Sequence, residues 1–301
     1  MSRRLCPAFL CLALLAMVYG AGAGEPPEPA VVRLASAPVA DGVPLPPLLC
    51  WPETWQTPRP VRFHLLRVDL RQPTCEVFAL MGDDPDGDGP AEATLESPLA
   101  LAARQHAVAA VNANAFRHLP TASAAERQRG WFAGKQVDVA GLVAVDGVAR
   151  SLPDGPLASV WFDAKGRPSL GALADVAQAR QGVSSWIDRL LTDGQVVARP
   201  DTQLHPRTLL GVDAEARVLL LVVADGRQKG YSEGISLPEA AEFMKAHGCH
   251  QATNLDGGGS SIMLVRDGAT EATLSLVNRP SGGRPRPIPV MLGVRLRADP
   301  R

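Results

Sequence analysis

The chain has 301 residues, with 30 Lys and Arg against 31 Asp and Glu and a formal net charge of −1. That balance, without a basic block, excludes partners held mainly through nucleic-acid phosphates, which need a concentrated positive face. Abundant Gly (28) and Pro (27) with only 5% aromatic residues favour short strands joined by tight turns, and the length suits one large domain or two small ones.

At the N-terminus, Arg3 and Arg4 precede a mostly apolar stretch from Leu5 to Tyr19, and Ala21-Gly22-Ala23 supplies a small-x-small cleavage pattern. Charge, length and ending predict a secretory signal peptide over 1–23 and a secreted or periplasmic mature protein. A membrane anchor is the alternative, but the stretch is short for a bilayer span of about 20 residues. No membrane association is expected after cleavage. Loss of Cys6 and Cys11 leaves Cys50, Cys75 and Cys249. An oxidising compartment permits a disulfide; Cys50–Cys75 is the expected pair, with Cys249 an inert buried thiol at a helix end. Glu25 to Pro60 contains Pro26-Pro27 and Pro44, Pro46 and Pro47. This predicts an extended linker over 24–60 leading into one main domain over 61–298.

Phe63, Leu65, Leu66, Val68 and Leu70 predict a strand, with Glu76 to Met81 as its hairpin partner. Asp84-Pro-Asp-Gly-Asp-Gly89 is spaced like the start of a calcium loop, but the twelfth position, which must be a bidentate acid, is Leu95. These acids are read as solvated, and no metal site or other cofactor is expected. Ser97 to His106 predicts a helix and Ala107 to Val111 a strand ending in Asn112-Ala-Asn-Ala-Phe116. Asp146-Gly147, Lys165-Gly166 and Asp193-Gly194, each between β-forming residues, predict three hairpins.

The C-terminal third alternates strands and turns: Thr208 to Val212, a turn over Asp213 to Ala216, then the apolar run Val218 to Val223. A run apolar at every position belongs to a strand covered on both faces. Ser236 as N-cap, Pro238 in the first turn and Glu239 three residues after the cap predict a helix with a capping box, ended by Gly248. Ala252 to Leu255 and Ile262 to Val265 predict strands, and Asp267-Gly268 a further turn. The fold class is α+β: a largely antiparallel β-sheet with a few packed helices in a single main domain.

Between the last two strands lies Asn254-Leu-Asp-Gly-Gly-Gly-Ser-Ser261. Three successive glycines cost backbone entropy and suit a sharp turn or a chain lying against a ligand. Asn254 and Asp256, two apart on a strand, share a face, and Gly257, Gly258, Gly259, Ser260 and Ser261 add backbone N–H groups and hydroxyls. An acid, an amide and a glycine-lined surface suit a polar ligand, particularly one bearing phosphate.

These residues, with His205-Pro-Arg-Thr208, Asp225-Gly-Arg-Gln228, Tyr231-Ser232 and Gly234, resemble in order and spacing the phosphodiester glycosidase family. The resemblance is close over 205–265 and looser from Ala107 onward. Where the family has an Asn-Gly-Gly-Phe-like segment this chain has Asn112-Ala-Asn-Ala-Phe116, so substrate contact there is in doubt. Asn112 and Asn114 fit equally a polar strand end satisfied by backbone bonds.

The resemblance implies a hydrolase that cleaves the glycosidic bond of a sugar-1-phosphodiester, with a carbohydrate phosphodiester as its partner. Phosphate is a good leaving group (second pKa about 6 for a monoester), so a strong general acid is less necessary than in ordinary glycoside hydrolysis. A carboxylate must stabilise the cationic sugar, act as nucleophile or activate water, and a cation should hold the phosphate. Asp256 is the first choice for the carboxylate, its other reading being to hold the glycine turn. Arg207 is the first choice for the phosphate clamp, its other reading being a strand-end arginine paired with Asp225 or Asp213. Asp225 and Arg227, ending a central strand, are placed in the site or paired with each other; His205 binds phosphate or sugar or is a turn residue. Glu239 is explained by its capping box. Two other functions fit the same features: a noncatalytic glycan-binding protein on this scaffold, and a metal-dependent phosphodiesterase, for which no His/Asp cluster has ligand spacing.

Overall fold

The computed structural model describes residues 32–34, 46–155, 157–186, 189–266 and 273–297. The signal-peptide expectation over 1–23 and the Asp267-Gly268 turn lie outside them. The largest element is an eight-stranded sheet in the order Val32–Leu34, Leu48–Trp55, Val61–Asp69, Val218–Ala224, Arg207–Val212, Gln251–Asn254, Arg189–Thr192, Gln195–Val196. Only its first pair is parallel. Two antiparallel five-stranded sheets face it across the core. One runs Leu274–Leu276, Met263–Arg266, Ala109–Asn112, Val290–Leu296, Cys75–Met81; the other contains the hairpins turning at Asp146-Gly147 and Lys165-Gly166. A small three-stranded sheet joins Ala93–Thr94, Gln136–Val139 and Phe116–Arg117. The described residues form three α-helices, Pro98–Arg104, Ala124–Gln128 and Leu237–Ala246, none long and apolar enough to cross a membrane.

The alternation of side chains along each strand explains the layering. Leu66, Val68, Leu219, Leu221 and Val223 point into the core between the sheets, while Phe63, Leu65, Leu220 and Val222 point to the other face. There Leu237, Ala240, Ala241, Phe243 and Met244 of the Leu237–Ala246 helix cover them. Val218–Ala224 is therefore buried on both faces, as its unbroken apolar run predicts. The helix begins with the expected capping box: the Ser236 hydroxyl accepts from the Glu239 N–H, and the Glu239 carboxylate accepts from the Ser236 N–H. Glu239 also pairs with Arg59, so its role is structural. The Asp146-Gly147 and Asp193-Gly194 turns have positive φ at both residues, the geometry that matches the twist of a two-residue hairpin.

Three expectations are corrected. The stretch read as linker over 24–60 contains the strand Leu48–Trp55, which pairs along its whole length with Val61–Asp69. Its proline does not prevent this: beyond Cys50 the strand has no outer neighbour among the described residues, and an edge is where proline is tolerated. Second, Glu76 to Met81 is a strand, but its partner is Val290–Leu296 rather than the strand over 61–69. Glu76, 3% exposed, faces Arg295 in that register and accepts from Arg295 Nε and Arg297 Nε, both at 2.6 Å. A buried carboxylate needs such partners, and they lie 219 and 221 residues away, beyond the reach of local pattern. Third, Cys50, Cys75 and Cys249 are all buried and no disulfide joins Cys50 to Cys75. The two sit on strands of different sheets. Burial pushes the Cys50 and Cys249 thiols up to about 12, which fits the inert reading of Cys249.

Candidate active site

Asn254 ends its strand in the middle of the large sheet, and the chain then bends into the short 3-10 turn Gly258–Ser260. The bend is held by its backbone. Asp256 N–H donates to Ala113 O (2.9 Å) and Asp256 O accepts from Asn112 Nδ2 (2.6 Å), while Leu255 N–H donates to Thr208 O (2.8 Å). Asn112 Oδ1 in turn accepts from Thr208 Oγ1 and Ile262 N–H. Asn112 is therefore fully used in fastening the Asp256 bend to the neighbouring strands.

Each of the three glycines has its own steric reason. A Cβ on Gly257 would lie 2.8 Å from Pro206 O; Gly258 has φ +61° with the Arg227 guanidinium against it; a Cβ on Gly259 would lie 2.0 Å from Arg286 Nη2. The same His205–Pro206 segment leaves no room for a side chain at Gly226 or Gly234. The separated motifs thus meet because one backbone segment is wedged between glycines drawn from all of them.

A cavity of about 250 Å³ opens over this bend, lined by Trp186, His205, Arg207, Arg227, Asn254, Asp256, the three glycines and Arg286. Asp256 is half-buried among the lining residues, its carboxyl densely surrounded by protein. Burial pushes its pKa up to about 6, against the opposing hydrogen bond from Ser260, the charge of Arg286 and the N–H of Gly257, which donates to Oδ1 at 2.9 Å. Arg286 also donates to Ser260 Oγ at 3.3 Å. Burial lowers the Arg286 pKa and the neighbouring Arg227 adds to this, while Asp256 opposes it. His205 bridges Gln203 and Arg227, its ring nitrogens 3.1 and 3.2 Å from them; burial first, then Arg227 and Arg207, lower its pKa.

The cavity thus brings Asp256, Arg207, His205, Arg227, Asn254 and the triple glycine together. Ser260 joins them through Asp256 and Arg286, whereas Ser261 is buried beneath the turn, with its carbonyl accepting from Asn278. Asn254 Nδ2 donates to Trp186 O at 3.2 Å, and its Oδ1 is a buried acceptor with no partner among the described residues.

Three assignments differ from this picture. Arg207 reaches the wall, but its guanidinium donates to Ile235 O (3.0 Å), Asp201 and Gln203 O, and only 7% of the residue is exposed. It fixes the wall rather than presenting a free clamp. Asp225 is not among the lining residues: 1% exposed, it accepts from Asn278 Nδ2 (3.0 Å) and Arg279 N–H (3.1 Å) and contacts His64 Nε2 and Tyr231 Oη. Asn114 donates to Ala140 O and Leu142 O and accepts from Ser184 N–H, tying two sheets together away from the cavity.

The sequence reading missed Arg286 and Trp186. Arg286 had a local signal in Arg284-Pro-Arg-Pro-Ile-Pro289, where alternating prolines hold an extended chain and leave the arginines between them as the polar side chains. Trp186 had none. No group of three or more potential metal-ligating side chains occurs among the described residues.

Comparison with known proteins follows the same segments. The phosphodiester glycosidase family profile matches residues 105–295, more than half of the chain. No curated protein matches. Among solved structures, the auto-inhibited catalytic domain of zebrafish N-acetylglucosamine-1-phosphodiester alpha-N-acetylglucosaminidase is similar at 20% identity and TM-score 0.62, covering 87% of each chain. A hypothetical protein from Synechocystis is similar at 14% identity and TM-score 0.61, covering 84% of this chain and 64% of that one. A Burkholderia pseudomallei protein described as a putative exported protein follows at 17% identity and TM-score 0.53, with 78% and 74% covered. At these identities the structures carry the fold; the profile match carries the family, and the chain belongs to the phosphodiester glycosidase family.

Proposed function

We propose that this protein is an exported hydrolase that cleaves the bond between an anomeric carbon and the phosphate oxygen of a sugar-1-phosphodiester. The observation that carries the reading is the placement of one carboxyl, Asp256, in a cavity shared with two arginines, Arg227 and Arg286, that form no salt bridge within 4 Å among the described residues. In the reaction the C1–O bond breaks with its electron pair leaving on the phosphate oxygen, and positive charge grows on the sugar ring. Asp256, as carboxylate, either takes a proton from the water that attacks C1, or attacks C1 itself to form a glycosyl ester that water then hydrolyses, restoring the carboxylate. The products are the free sugar and a phosphomonoester of the alcohol. Arg227 and Arg286 hold the phosphate and stabilise the charge gathering on it as the bond breaks. Arg207 acts here as a positioning residue, through Ile235 and the 201–203 loop. The glycosidase named in the zebrafish structure motivates including N-acetylglucosamine among the sugars tested.

The test is product analysis with a panel of glycosyl-1-phosphodiesters of N-acetylglucosamine, glucose, galactose and mannose. Free sugar plus alcohol phosphate supports the reading; sugar-1-phosphate as product means that the phosphate–alcohol bond is cut and ends it. Binding of the panel without turnover supports a lectin-like protein instead. Because the carboxylate is the working form and its pKa is raised to about 6, kcat/KM should fall about tenfold per pH unit below about pH 6 and level off above it. A flat profile between pH 5 and 8 removes Asp256 from the rate-limiting chemistry. In Gly259→Ala the new methyl displaces the flexible end of Arg286 rather than backbone. It should leave the unfolding midpoint nearly unchanged while raising KM about tenfold, the cost of one charge-assisted contact; unchanged KM takes Arg286 out of the phosphate site.

A further inference from the structure

Beside the cavity over Asp256 lies a second, larger trough of about 740 Å³ that shares Arg227, Gly259 and Arg286 with it and is lined further by Trp131, Phe132 and Arg284. The smaller space falls below the roughly 300–1,000 Å³ of ligand cavities, whereas the trough falls within that range. Two features of the trough stand out. First, its charge is one-sided: Arg227, Arg284 and Arg286 line it, no acidic residue does, and none of the three makes a salt bridge within the described residues. A single phosphodiester carries one negative charge, so the third guanidinium answers to an anion beyond the scissile phosphate. Second, its aromatic wall is built in advance. Trp131 is stacked on His118 (4.2 Å between centroids), met edge-on by Phe116 (4.8 Å) and approached by the Lys135 ammonium (4.7 Å), which itself is anchored to the carbonyls of Glu126 and Gly130. Trp131 remains half-buried, so part of it faces the trough. An aromatic side chain held in place in this way can pack against the apolar part of a sugar without losing freedom on binding.

We infer that this trough binds the leaving half of the substrate, and that this half is itself a sugar carrying a further phosphodiester. The preferred substrate is then a repeating sugar-phosphate chain, with one sugar over Asp256, the scissile phosphate at Arg227 and Arg286, the next sugar on Trp131 and its phosphate at Arg284. This rests on the proposed hydrolysis for the direction of cleavage, but not for the binding itself.

The experiment compares two probes built on the same glycosyl-1-phosphate: its methyl ester, and its ester to a hexose bearing a methyl phosphodiester. Arg284 is exposed and makes no hydrogen bond or ion pair among the described residues, so Arg284→Gln should fold normally. Expected is a kcat/KM about tenfold higher for the long probe, a preference lost in Arg284→Gln with little change on the methyl ester. Trp131→Phe should lower the preference less than Trp131→Ala. Equal kinetics on both probes, or a preference that survives in Arg284→Gln, overturns the inference. If neither probe is cleaved, the hydrolase reading fails and calorimetry on the intact protein decides the trough. Binding of the long probe about tenfold tighter, lost in Arg284→Gln, sustains it, and equal binding removes it.

Discussion

Asp256→Asn should remove turnover and at the same time make the protein more stable at neutral pH. The loss of rate should be about 10²- to 10⁴-fold, the range for a group that transfers or replaces a proton at the reacting bond. The gain in stability follows from the sign of the pKa shift. The folded protein raises Asp256 from 3.8 to about 6, because burial disfavours the charged form more than Ser260, Arg286 and the Gly257 N–H favour it. Between pH 4 and 6 the unfolded chain therefore releases this proton before the folded one does, and stability falls as pH rises through that window. Above pH 6 the ionised carboxylate costs the fold on the order of 1–3 kcal/mol, with the lower part of that range reflecting partial contact with water. An amide of the same shape keeps an oxygen for the Gly257 N–H and carries no charge. Thermal unfolding of the variant at pH 8 should lie several degrees above the parent, at roughly 2–4 °C per kcal/mol for a chain of this size, and the gap should close near pH 4. A variant that is less stable at pH 8 would make Asp256 a fastener of the glycine turn, and one that still turns over would exclude it from the mechanism.

Asp225→Ala should have the largest effect on stability, about 3–5 kcal/mol, without being a loss of chemistry. The carboxylate is 1% exposed and collects Asn278 Nδ2, the Arg279 N–H, His64 and Tyr231. Truncation leaves several buried donors without an acceptor, the expensive way to break a buried polar cluster. The effect should appear as a lower urea midpoint at unchanged slope. Activity corrected for folded fraction should fall less than tenfold, since Asn278 also holds Ser261 O and Met263 N–H behind the site. A hundredfold loss in fully folded Asp225→Asn would instead place Asp225 in the reaction.

These two aspartates show where sequence reasoning reaches and where it stops. Both follow strands and precede glycines, and the sequence placed both in the site, with Asp256 the first choice for the carboxylate and Asp225 either in the site or paired with Arg227. Their difference is tertiary: Asp225 meets a loop 53 and 54 residues downstream, while Asp256 is left facing the cavity. Arg207 and Arg286 invert in the same way. Arg207 sits inside a recognised motif but gives its guanidinium to Ile235, whereas Arg286, outside every motif read, lies against Gly259. Asn112 and Asn114 follow the backbone-bonding reading for the same reason, each meeting carbonyls brought from other sheets or strands.

What the sequence determined by itself was local and periodic. The hairpins at Asp146-Gly147 and Asp193-Gly194, the capping box at Ser236 and Glu239, the doubly covered strand Val218–Ala224 and the glycine bend after Asn254 each depend on residues within a few positions. What only the tertiary structure decided was pairing and vacancy: that Leu48–Trp55 joins the sheet despite its proline, that Cys75–Met81 pairs with the far end of the chain, and which arginines stay unneutralised beside Asp256. The physical reason is range. Turn geometry and side-chain alternation are set by neighbours in the chain, whereas a charged group's role depends on whether a distant partner has already claimed it.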